Sequence, residues 1–136
     1  MIMSRTFFDA NVWIPAIASP QGFSRRLVLA ATKGEVVISE KLWDEVAEKL
    51  VLKFGLSWES MSTGKKFMEE AANWFEKSVT EYPASPDPDD ALLLAQALAA
   101  KCGHFVTNDK RLLDMVAIDE MRIVSPREFA VLLGLS

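Results

Sequence analysis

Hydrophobic and polar positions along the chain fall into two kinds of block, short apolar runs and longer stretches at helical spacing. Arg5-Thr6-Phe7-Phe8-Asp9 is a brief strand-favouring run that ends in a carboxylate. Val36-Val37-Ile38, His104-Phe105-Val106-Thr107 and Arg122-Ile123-Val124 are three more, each too short for a helix. Between the first two, Asn11 reads as the cap of an apolar helix from Val12-Trp13-Ile14 to about Ala18. Ser19-Pro20-Gln21-Gly22 is a turn, and Phe23 to Thr32 a second helix stopped by Lys33-Gly34. Ser39 then caps a helix whose stripe is Leu42, Val46, Leu50 and Phe54, widened by Trp43, Ala47 and Val51 and ended by Gly55. Glu59 to Ser78 continues in helical pattern through Phe67, Met68, Ala71, Ala72, Trp74 and Phe75, with Gly64 as a point where it can split.

Pro83, Pro86 and Pro88 mark Val79 to Pro88 as a surface loop. Asp89-Asp90 opens an apolar helix, Ala91 to Ala100, closed by Lys101-Cys102-Gly103. Asn108-Asp109-Lys110 turns into a short helix through Leu112 and Leu113, and Ser125-Pro126 starts a last one. Buried strands alternating with helices predict an α/β fold whose parallel sheet is covered on both faces by right-handed crossovers. Ligands of such sheets bind beyond the carboxyl ends of the strands.

The chain is 136 residues long, half of them hydrophobic, which suits one domain over 1–136 with a core of its own. A quarter of the residues are charged, 15 Lys plus Arg against 19 Asp plus Glu, for a net charge of −4 and an isoelectric point near 5.0. That balance excludes a global basic surface for nucleic acid, so such a ligand needs a local basic rim or bound cations. One cysteine, Cys102, excludes an internal disulfide framework and fits a reducing, cytoplasmic setting. The longest uncharged stretch, Ala10 to Ser24, is broken by Pro15 and Pro20 and too short to cross a bilayer. Arg5 is followed by too brief an apolar run for a signal peptide.

Candidate chemistry lies in the carboxylates. Asp9 ends the first strand and Asp109 follows the third by two residues. In a parallel sheet both exits lie on one rim, and helices that feed back begin near it, which brings in Asp87, Asp89, Asp90 and Glu45. Singly, Asp87, Asp89, Asp90 and Asp109 are explained as helix caps, and Glu45, about 60° outside the Leu42 edge of its apolar stripe, as a surface residue. Asp9 is harder to explain, because an ionised group between an apolar strand and an apolar helix must be compensated. Several carboxylates on one rim repel unless divalent cations neutralise them, and oxygen ligands without His or Cys suit Mg2+ or Mn2+ rather than zinc. Such a centre can activate water against a phosphodiester. Nothing competes with it. His104 and Cys102 lack partners, there is no glycine-rich phosphate loop, and Trp13, Trp43, Trp58 and Trp74 suit core or oligomer contacts better than base stacking. Lys110 and Arg111 are the basic residues best placed to touch phosphate.

These segments resemble the PIN-domain family, specifically the small single-domain prokaryotic members that act as VapC-like toxins of toxin–antitoxin pairs. The resemblance rests on Phe7-Phe8-Asp9-Ala10-Asn11-Val12-Trp13, Ser39 followed by Glu45, Asp87-Pro88-Asp89-Asp90-Ala91-Leu92-Leu93, and Phe105 to Leu113, in the family's order and over nearly the whole chain. It implies a three-layer α/β/α sandwich around a central parallel sheet of four or five strands. It further implies Mg2+- or Mn2+-dependent cleavage of single-stranded RNA, frequent homodimerisation, and inhibition by an antitoxin that enters the acidic groove. By position, Asp9, Glu45, Asp90 and Asp109 match the family's catalytic quartet, with Asp9, Asp90 and Asp109 as metal ligands. Asn11 and Thr107 match supporting polar residues, and Asp87 lies one helical turn before Asp90. Ala10 and Asn108 depart from the residues common at their places. The choice of Asp90 over Asp87 and Asp89 rests on Ala91-Leu92-Leu93 following it. Two other readings remain: a non-catalytic module of the same fold that binds RNA or protein through the groove, and a phosphoacceptor receiver domain. The second lacks the acidic pair and central acceptor aspartate it would need.

Overall fold

A computed structural model describes residues 5–135; the remaining positions of the domain expected over 1–136 lie outside the described residues. The chain runs β1 (Arg5–Phe8), α1 (Ala10–Ala18), α2 (Phe23–Ala31), β2 (Glu35–Ile38), α3 (Glu40–Phe54), α4 (Trp58–Ala71), β3 (Asn73–Trp74), α5 (Pro88–Ala99), β4 (His104–Val106), α6 (Lys110–Leu113), β5 (Ala117–Ile118), β6 (Met121–Val124) and α7 (Pro126–Leu132). The strands form one sheet in the order β3-β2-β1-β4-β6-β5. All pairings are parallel except β5 with β6, which makes a short antiparallel edge. The expected α/β/α architecture is present, with the four expected strands at its centre and a two-residue strand added at each edge.

Phe7 lies opposite Phe105 in the β1–β4 register, and their rings stack 5.5 Å apart at 8°. Its neighbour Phe8 points to the other face, where it meets Trp13 and Phe129 edge-on at 5.9 and 5.8 Å. On that face α1 packs against α2 and α3, α3 against α4, and α2 against α7. Right-handed crossover puts α5 on the opposite side. Phe7, Phe8, Val12, Trp13, Leu42, Leu93 and Phe105 are fully buried. Among the described residues no helix is long and apolar enough to cross a membrane.

Three local expectations are corrected. Helix α1 begins two residues earlier, capped by Asp9, whose carboxylate accepts from the Ala10 N–H; the Asn11 amide is engaged elsewhere. The helical pattern assigned through Ser78 ends at Ala71, and Asn73–Trp74 pairs with β2 instead. The apolar residues that suggested helix are the edge of the sheet core. Gly64 does not split α4. It lets the helix approach α1, where a Cβ would lie 2.9 Å from Ile17 Cγ2.

Candidate functional site

The strand order reverses at β1, which has β2 on one side and β4 on the other. At such a switch point the loops leave in opposite directions and open a crevice at the carboxyl edge. Asp9 leaves β1 and Thr107-Asn108-Asp109 leave β4, so they flank that crevice directly. The Asp9 backbone N–H donates to Val106 O at 2.9 Å and the Thr107 N–H to Val124 O at 3.0 Å, carrying the ladder one residue past each strand.

Asp9 is buried, 5% exposed. Its Oδ1 accepts the Ala10 N–H at 2.7 Å, and its Oδ2 accepts the Thr107 hydroxyl at 2.8 Å and the Asn11 amide at 3.3 Å. Thr107 Oγ1 in turn accepts from Asn11 Nδ2 at 3.2 Å and the Asp109 N–H at 3.0 Å. Asn11 Oδ1 accepts the Asn108 N–H at 3.0 Å. Pro15, inside α1, has no N–H to give the Asn11 carbonyl, and Asn108 Nδ2 donates to that oxygen at 3.4 Å. The two strand exits are thus joined by side chains from both.

The remaining carboxylates enter from helix starts. Ser39 caps α3, accepting from the Leu42 N–H and donating to Gln96 Oε1 of α5 at 2.6 Å. Glu45 lies in the second turn with its side chain 17% exposed, and Lys41 Nζ is 3.8 Å away. Asp87 caps α5 through the Asp89 N–H at 2.9 Å; Asp89 is turned to solvent, and Asp90 is half-buried. Asp109 caps α6, accepting the Arg111 N–H at 2.9 Å and lying 3.4 Å from the Arg111 guanidinium. Lys110 and Arg111 are exposed.

The charges of the four carboxylates are felt across the crevice. Burial raises the Asp9 carboxyl above its ordinary range, against its bond from Thr107, with Asp109 raising it further. Burial, then the charge of Asp9, pushes Glu45 up to about 7. Asp90 rises to about 6 through burial and through Asp9, Asp87 and Asp109. Asp109 goes the other way: burial raises it, but the hydrogen bonds and charge of Arg111 hold it below the usual carboxylate range. The charges acting on Asp90 thus come from both strand exits, Asp9 and Asp109.

Residues 5–111 match the sequence profile of the PIN domain. The chain belongs to the PIN-domain family. In fold it is similar to a chain of the crystal structure of VapBC2 from Rickettsia felis bound to a DNA fragment from their promoter, with a TM-score of 0.67 and 14% identity. The likeness covers 89% of this chain and 98% of that one, and at this identity it is one of fold. No curated protein matches the chain by sequence.

The donor chemistry of this PIN domain fits a hard divalent cation, since every candidate is a carboxylate. Among the described residues, however, no three His, Cys, Asp or Glu side chains are placed to hold a metal ion as they stand. The site expected as a ready-made cation pocket is instead a rim of mutually repelling groups. Asp90 has no hydrogen-bond partner among the described residues, so its side chain is not tied down where it is. Sequence reasoning overlooked Lys41, beside Glu45, Lys49, whose charge lowers both Asp9 and Glu45, and Gln96, which accepts from Ser39. The signal for the lysines was present, because Lys41, Glu45 and Lys49 recur every four residues on one face of α3.

Thr107 gives a direct test of this network. Thr107→Val should destabilise the fold by about 2 kcal/mol, because it leaves the buried Asp9 carboxylate and the Asp109 N–H each short of a partner. Urea unfolding checks it: the midpoint should fall at constant slope, and an unchanged midpoint would contradict the network's importance.

Proposed function

We propose that this PIN domain is a metal-dependent endoribonuclease that hydrolyses phosphodiester bonds of single-stranded RNA, and that it acts as the toxin of a toxin–antitoxin pair. The reading is supported by the side chains that join the β1 and β4 exits, where Thr107 donates to Asp9 and accepts the Asp109 N–H, with the charge of Asp9 raising both Glu45 and Asp90. In this reading Asp9, Asp90 and Asp109 hold Mg2+ or Mn2+. Such an ion, when bound, neutralises the rim toward an anionic backbone and lowers the pKa of water. Glu45, pushed up to about 7, takes the proton of the attacking water near neutral pH. Asn11 and Thr107 orient Asp9, Asp87 fixes the start of α5, and Lys110 and Arg111 lie beside the rim for flanking phosphates. The reading includes a homodimer, an antitoxin that inhibits through the acidic groove, and a cytoplasmic setting.

Incubation with a labelled single-stranded RNA tests the chemistry. Cleavage should require added Mn2+ or Mg2+, stop on chelation with EDTA and return when the metal is restored. Cleavage that persists in EDTA, or none with either ion, contradicts the proposal. The second reading, a non-catalytic module binding through the groove, is favoured by the lack of three carboxylates placed for one ion. Calorimetric titration with Mn2+ separates the two, since binding alone needs no metal.

A further inference from the structure

The acidic rim carries its own cations, and one of them is held differently from the rest. Arg111 is engaged with Asp109 alone. Lys41, the second residue of α3, has its ammonium 3.8 Å from Glu45 Oε1 and 4.0 Å from Asp89 Oδ1. One positive charge is therefore shared between two helices whose first turns open on the same rim. Both distances are at the long end for an ion pair, and Asp89 is 75% exposed. Contacts of this kind contribute little to stability. Nor is Lys41 needed to join α3 to α5, because the Ser39–Gln96 hydrogen bond already does so at 2.6 Å. An ammonium bound weakly by two carboxylates, beside Glu45 and at the mouth of an anionic crevice, is free to move to a better acceptor.

We propose that Lys41 is a substrate-binding residue, whose ammonium passes from Glu45 and Asp89 to a phosphate oxygen of single-stranded RNA entering the rim. The inference rests on the nuclease reading. A phosphodiester offers a charge-assisted hydrogen bond that the two distant carboxylates do not. When the ammonium leaves, the positive charge nearest Glu45 goes with it. Lys41 therefore acts on anions and on cations with opposite signs: it draws RNA in and holds divalent ions off.

That opposition is the test. Lys41→Met and Lys41→Arg are compared with the parent chain by anisotropy of a labelled single-stranded RNA, with Ca2+ present, over a salt series. Binding of Mn2+ alone is measured by calorimetry. Lys41→Met should weaken RNA binding about fivefold and lower the slope of log affinity against log salt by about 0.7, the loss of one single-strand phosphate contact. Lys41→Arg should keep both. The methionine variant should also bind Mn2+ about twofold more tightly. If Lys41→Met leaves the RNA slope unchanged, or weakens RNA and Mn2+ together while lowering the melting temperature, Lys41 is a brace and the inference falls while the nuclease reading stands. If the parent chain neither binds RNA nor cleaves it with Mn2+, the nuclease reading falls and takes the inference with it.

Discussion

Asp9→Asn should lower Mn2+-dependent RNA cleavage by at least about a thousandfold, the effect of several kcal/mol of lost transition-state stabilisation, while the variant stays folded. Two opposing effects on stability explain the second half. Burial raises the Asp9 carboxyl, so a neutral amide removes an unfavourable buried charge. Against that, the Asn nitrogen cannot accept the Thr107 hydroxyl, which now donates to Oδ2 at 2.8 Å. The two are of similar size, and the melting temperature should stay within a few degrees of the parent's, on the order of 1 kcal/mol. Single-turnover rates and circular-dichroism melts make the comparison. Activity within about tenfold of the parent would remove Asp9 from the proposed metal centre.

Much of this site was readable from spacing. A carboxylate placed directly after a four-residue apolar strand, and another two residues after a second such strand, needed only the parallel-sheet rule to share an edge. Caps at Ser39, Asp109 and Ser125 were where short polar residues precede apolar periodicity. Other features were not readable, and for physical reasons. Asn73–Trp74 is a two-residue edge strand whose apolar neighbours also fit a helical stripe, and only pairing with Val37 and Ile38 decides between them. Asn11 has the chemistry of a cap but sits two residues too late, because Asp9 had already taken the Ala10 N–H. The Asn108–Asn11 contact depends on a carbonyl released by Pro15, a consequence of helix geometry that neither residue announces alone. The Lys41 contact with Asp89 joins residues 48 positions apart, beyond any local pattern.

The second large effect is a reversal of the usual dependence of stability on pH. Glu45, from 4.5 to about 7, and Asp90, from 3.8 to about 6, are both raised in the folded chain. A raised carboxyl means that the folded state holds the proton more tightly than the unfolded one. The stability linked to these groups is therefore intact at acid pH and lost as pH climbs from about 4 to about 7. His104 opposes this over part of the same range. Its ring is held below its ordinary value by burial, so it disfavours folding as pH falls through 6.5. Glu45→Gln isolates the carboxylate contribution. Without divalent metal, this variant should melt higher than the parent at pH 8 by about 3 °C, or about 1 kcal/mol once solvent screening is allowed for, and equal it near pH 4. Mn2+ should narrow the gap at pH 8 by neutralising the parent's rim. Equal melting curves at pH 8 in EDTA would show that neither burial nor the charge of Asp9 raises Glu45 in the folded chain.

The order in which the strands join also bears on how this protein comes into being. Carboxylates at 9, 45, 90 and 109 meet only when β1 has both β2 and β4 beside it. Synthesis must therefore pass residue 109 before the last of them arrives. A chain in which β2 or β4 has not yet paired with β1 lacks the crevice that the four share. Any activity that depends on it therefore reports only on chains in which β1, β2 and β4 have paired.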